Sequence, residues 1–150
     1  MENYELFSAS AEETLKIGNQ IAASLYLGAV VCLNGELGSG KTYLTKGIAS
    51  GLGIKEEITS PTYTILNEYP FLFLNGNKKS TLYHIDAYRL LDERDFENSI
   101  GQELLSSGGI CIIEWSGRIS KILPEDAIKI FLEIKEYSSR IIKITGINIS

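Results

Sequence analysis

Between a β-branched apolar run, Ala29-Val-Val-Cys-Leu33, and a helix-compatible stretch, Tyr43 to Ser50, stands Gly35-Glu-Leu-Gly-Ser-Gly-Lys41-Thr42. A strand that turns into a helix through such a loop commits a chain to α/β architecture. Gly35, Gly38 and Gly40 let the backbone curl past Glu36, Leu37 and Ser39, so that successive N–H groups converge on one anionic centre. Lys41 then reaches β- and γ-phosphates, and the Thr42 hydroxyl is placed for Mg²⁺. Tyr43 opens a helix whose positive end borders the same site. The segment reads as a P-loop for nucleotide phosphates.

The remaining elements build around that loop. Ser10-Ala-Glu-Glu13 fits a capping box, and Ala11, Leu15, Gly18, Ala22 and Leu25 mark one face of a helix that Gly28 would stop. Tyr63 to Tyr69, an apolar Phe71 to Leu74, the turn signal Asn75-Gly76-Asn77 and a returning run Ser80 to Asp86 predict a β-hairpin. Asp92 to Leu105 reads as helical, interrupted near Gly101. Gly109 to Trp115 suits a buried central strand. Ala127 to Lys135 and Arg140 to Ile147, around Tyr137-Ser-Ser139, predict a second hairpin. The expectation is one P-loop ATPase domain over residues 1–150, with a three-layer α/β fold and a mixed sheet: a parallel core plus antiparallel hairpins.

At 150 residues, with 44% hydrophobic side chains and three prolines, the chain suits one globular domain. No apolar run reaches the roughly eighteen residues of a membrane span, and no signal segment opens it. A cytoplasmic protein without a membrane or DNA partner is expected. The net charge of −5 argues against unaided nucleic-acid binding, because the basic residues are scattered. Cys32 and Cys111 lie in apolar runs without metal-ligand spacing and read as buried thiols.

A phosphate loop needs acidic and sensing partners. Thr62, in Ser60-Pro-Thr-Tyr63, offers a hydroxyl on the loop after the P-loop helix; Pro61 could equally be building a plain turn. In His84-Ile-Asp86, alternation puts both polar residues on one side of a strand. Asp86 could bind a metal's water or orient the attacking water, or could simply face solvent. His84 is more readily structural than a catalytic base. Ile112-Ile-Glu114-Trp115 closes an apolar strand with a carboxylate, the Walker B pattern with Glu in place of Asp. Trp115 reads as a packing group. Arg118 could reach a phosphate or the base, or be a surface residue. No guanine-reading Asn-Lys-x-Asp motif is present, which favours adenine.

Taken in order, Gly-Glu-Leu-Gly-Ser-Gly-Lys-Thr, Ser-Pro-Thr-Tyr-Thr, His-Ile-Asp-Ala-Tyr-Arg-Leu and Ile-Glu-Trp resemble the TsaE (formerly YjeE) family of small bacterial P-loop ATPases. The similarity runs from the Ser10 helix to the terminal hairpin. It implies an ATPase dependent on ATP and Mg²⁺ that acts with TsaB and TsaD. Together they place threonylcarbamoyl on the tRNA adenosine beside the anticodon, with tRNA met only through the complex. Carried onto these positions, it implies Lys41, Asp86, Glu114 and Thr62 as the catalytic set, and Thr42, Glu114 and Asp86 as the metal side. It also implies nucleotide contacts near Ser10, Arg118 and Arg140. Two alternatives remain: a small-molecule kinase, and a nucleotide-sensing module without hydrolysis. Against the kinase, the four arginines Arg89, Arg94, Arg118 and Arg140 form no lid-like cluster.

Overall fold

The computed structural model describes residues 3–36, 38–59, 66–73, 76–87, 107–117, 121 and 123–149. In chain order these form β1 (Asn3–Ser8), α1 (Ala11–Ser24), β2 (Val30–Gly35), α2 (Lys41–Gly51), β3 (Leu66–Phe73), β4 (Lys78–Asp86), β5 (Ile110–Glu114), β6 (Ile128–Ile134) and β7 (Arg140–Thr145). The helix expected over Asp92 to Leu105 lies outside the described residues. Among the described residues, no helix is long and apolar enough to cross a membrane.

The described strands make one mixed sheet in the order β1-β7-β6-β2-β5-β4-β3. β6, β2, β5 and β4 run parallel, and β3 and β7 pair antiparallel at either side of them. This is the expected parallel core with hairpins, and the hairpins occupy opposite flanks. Strand β5 is buried along its whole length, because both its faces are covered. Its Ile110, Ile112 and Ile113 are fully buried, each worth about 1.5–3 kcal/mol of apolar transfer.

Two local expectations need correction. Helix α1 stops at Ser24, with Leu25 already extended, four residues before Gly28. Gly28 instead takes a φ of +94° in the following turn, where its N–H donates to the Gly109 carbonyl at 2.8 Å. The N-terminal strand β1 was not expected. Among the described residues it pairs only with β7, at the far end of the chain, Asn3 opposite Thr145.

Helices α1 and α2 cover one sheet face, with Ile17, Ile21, Leu44 and Ile48 packed over Val31, Leu33, Leu82, Ile112 and Ile130. Their contacts advance together along both chains, Gly18 against Gly47 and then Ala22 against Gly51. The helices therefore run in the same sense, and both N-termini reach the same sheet edge. The crossing depends on glycine. A Cβ on Gly18 would lie 2.7 Å from the Gly47 Cα and the Leu44 carbonyl, and one on Gly47 would strike the Leu15 carbonyl. Alanine gains about 1 kcal/mol in helix propensity, but overpacking against backbone costs about 1–3 kcal/mol. Gly47→Ala should therefore lower the denaturation midpoint in a urea titration; an unchanged or raised midpoint would show that the helices can separate without cost.

Candidate functional site

Parallel pairing brings the carboxyl ends of β2, β4 and β5 to one edge, with Leu33 opposite Glu114 and Asp86 opposite Glu114. The antiparallel outer strands bring the end of β1 and the start of β7 to that edge too, since Ser8 pairs with Arg140. A cleft of about 420 Å³ opens there. Its walls come from the α1 start (Ser10, Ala11, Thr14), the loop and first turn of α2 (Gly38 to Tyr43), Asp86, Glu114, Trp115, Ser138 and Arg140. The carboxyl edge of a parallel sheet is where such folds collect ligands.

The glycine-rich loop is shaped by its backbone. Gly38 and Gly40 adopt φ values of +80° and +101°, and no atom lies within 4 Å of a Cβ built on Gly38. Helix α2 begins at Lys41 without a side-chain cap, so its positive end is left for whatever enters the cleft. The buried Ser39 hydroxyl finds no hydrogen-bond partner among the described residues. Lys41 Nζ donates to the Gly35 carbonyl at 2.6 Å and stands 3.8 Å from the centre of the Trp115 ring. Burial pushes the Lys41 ammonium below the usual lysine range, opposed by the nearby Glu114 and Asp86 carboxylates.

Trp115, read from sequence as a packing group, lies in the site. Its φ of +59° is left-handed for a non-glycine residue, a conformation costing on the order of 1–3 kcal/mol. Directly after Glu114, that turn sets the indole against Lys41. Glu114 itself is 6% exposed, and its Oε2 accepts from Nε2 of the fully buried His84 at 2.5 Å. Asp86 is half-buried and shares the cleft wall.

The other expected residues fall variously. Ser10 lines the cleft, but its hydroxyl accepts from the Glu13 N–H while Glu13 reaches back to the Ala9 N–H, the capping box expected for α1. Arg140 also lines the cleft, with its guanidinium donating to the carbonyls of Ser39, Ser139 and Gly38 at 2.9–3.0 Å. It staples the β6–β7 turn to the glycine loop. Gly35 closes β2 and Glu36 is exposed beside it, outside the cleft wall. Leu37, Thr62 and Arg118 lie outside the described residues. Thr14 and Ser138 carried no sequence signal, since only the β1 and β7 pairing brings them to this edge. Cys32 and Cys111 are buried free thiols, and burial pushes the Cys111 thiol up to about 12.

These residues fit a polyphosphate accompanied by a hard cation. The uncapped helix, the orphan Ser39 hydroxyl and Lys41 are donors for an anion. Thr42, Asp86 and Glu114 are oxygen donors. Mg²⁺ usually takes one or two protein oxygens and completes its shell with water and phosphate oxygens.

Known proteins place this arrangement in a family. The model for the threonylcarbamoyl adenosine biosynthesis protein TsaE matches residues 8–142. A tRNA threonylcarbamoyladenosine biosynthesis protein TsaE from Treponema pallidum is 43% identical over 127 residues, covering 85% of this chain and 89% of that protein. The protein of the same name from Rickettsia bellii is 34% identical over 147 residues, 97% of each chain. The crystal structure of Bacillus subtilis YdiB superposes with a TM-score of 0.74 at 32% identity, covering 98% of this chain and 87% of that one. With likeness of sequence and of fold running across nearly the whole chain, this protein belongs to the TsaE family.

Proposed function

We propose that this chain is a slow, Mg²⁺-dependent ATPase whose nucleotide cycle supports threonylcarbamoyl modification of the tRNA adenosine beside the anticodon. It would act in the cytoplasm with TsaB and TsaD, and the transfer itself would belong to TsaD. The observation that carries the reading is convergence: Lys41, Asp86 and Glu114 share one cleft wall with the uncapped start of α2. The relatives' names supply the pathway.

In this reading Lys41 exchanges the Gly35 carbonyl for phosphate oxygens, helped by backbone N–H groups at the start of α2. Bound Mg²⁺ supplies charge neutralisation on the β- and γ-phosphates. Thr42 and Asp86 would hold that ion, and Glu114 would orient or deprotonate the nucleophile. Arg140 keeps the loop in its receiving shape. Trp115 and Tyr43 shield the cleft's apolar flanks, and the acidic net charge suits a protein that meets tRNA through partners.

Phosphate release from Mg²⁺–ATP with no acceptor present tests the activity. Steady release supports an ATPase; ATP binding without release would reduce the chain to a nucleotide sensor, and release only on adding an acceptor would make it a kinase. Co-purification with TsaB and TsaD, dependent on ATP, tests the partners. Failure to associate with nucleotide present would remove them from the reading.

A further inference from the structure

His84 is the chain's only histidine. It is fully buried, on the sheet face shared with Leu82 and Ile112. A leucine there would cost nothing in desolvation, whereas an imidazole must hide two polar nitrogens. One of them, Nδ1, has no hydrogen-bond partner among the described residues. The other, Nε2, lies 2.5 Å from Glu114 Oε2. A carboxylate accepts, so Nε2 carries the proton and donates. The hydrogen bond to Glu114 thus commits the ring to one orientation.

That commitment has a consequence at the cleft. A glutamate has three rotatable bonds, so its head group keeps one orientation only where something holds it. With Oε2 held from below by a rigid ring that strand β4 fixes in place, Oε1 is the oxygen left for the cleft. We propose that His84 is a positioning residue, which holds the Glu114 carboxylate so that Oε1 is presented to the nucleotide site. The role resembles that of outer-shell partners which orient ligating or catalytic groups. It rests on the ATPase reading above and adds to it a residue that never touches the nucleotide.

Two substitutions separate positioning from packing. His84→Leu keeps apolar volume and removes the donor; His84→Gln keeps an N–H donor of similar reach. The Leu variant should lose roughly tenfold to a hundredfold in kcat for ATP hydrolysis with KM for ATP little changed. Its denaturation midpoint should fall, because the buried Glu114 carboxylate loses its donor, so rates are compared per folded molecule; the Gln variant should recover both the midpoint and most of the rate. In the nucleotide-free chain, ¹⁵N NMR of the single imidazole should show a proton on Nε2 engaged in a hydrogen bond. Glu114→Ala should move the Nε2 resonance. A Leu variant at full rate, a Gln variant as slow as Leu, or a proton on Nδ1 instead would overturn the role. A parent chain that releases no phosphate would overturn the ATPase reading and the role with it.

Discussion

Lys41→Ala is expected to weaken ATP binding on the order of a hundredfold, measured by calorimetry at fixed Mg²⁺. The ammonium is the one side-chain cation described near the centre of the cleft, since the Arg140 guanidinium is occupied by three carbonyls. A hydrogen bond to a charged group contributes roughly 1.5–3 kcal/mol, and each 1.4 kcal/mol is about tenfold in affinity. The larger value applies here, because Lys41 is 7% exposed and competes little with water. The same variant offers an optical control. Trp115 is the only tryptophan, with its ring 3.8 Å from Lys41 Nζ. If Lys41 turns from the indole to phosphate, tryptophan emission should change when ATP binds to the parent chain and stay constant in Lys41→Ala. Unchanged affinity in the variant would remove the loop from nucleotide recognition.

How far the sequence carried this site depends on the range of the interactions that shape each part. The loop 35–42, the capping box at Ser10 and the two hairpins are written in short-range chemistry: positive-φ glycines, a Ser/Glu pair three residues apart, and alternating apolar runs. The carboxylates Asp86 and Glu114 were legible for the same reason, each closing an apolar strand. Strand order was not legible, because nothing local says that β2 lies between β5 and β6. Strand β1 escaped because its one partner among the described residues lies some 140 positions away. Thr14 and Ser138 escaped with it.

Two side chains show the limit more sharply. Trp115 follows an apolar strand, where an aromatic residue usually packs. Only the left-handed backbone at that position brings it against Lys41, and no residue pattern announces a tryptophan with positive φ. His84 shares strand alternation with Asp86, and the two do lie on one face. Depth separates them: Asp86 reaches the cleft, while His84 is covered and meets Glu114. A period of two reports the face a residue takes, not its distance from the sheet edge.

Glu114→Gln should separate binding from hydrolysis more cleanly than an alanine at the same position. Alanine would leave His84 buried with neither nitrogen bonded to a described residue, at a cost of about 1–3 kcal/mol in stability. Any loss of activity would then mix mechanism with misfolding. Glutamine keeps a carbonyl oxygen to accept from His84 Nε2, so the strand end should hold its shape. What it loses is the negative charge and the basic oxygen facing the cleft. ATP affinity should therefore stay within a few-fold, or rise, since a repulsive charge near the phosphates is gone. Hydrolysis should fall on the order of a hundredfold or more, the usual range for removing a positioned base. Asp86 stays in place and still faces Lys41, so Mg²⁺ should continue to promote ATP binding. Single-turnover phosphate release with saturating ATP makes the measurement independent of affinity. Release at the parent rate would exclude Glu114 from the chemical step and leave Asp86 as the remaining described carboxylate of the cleft to test.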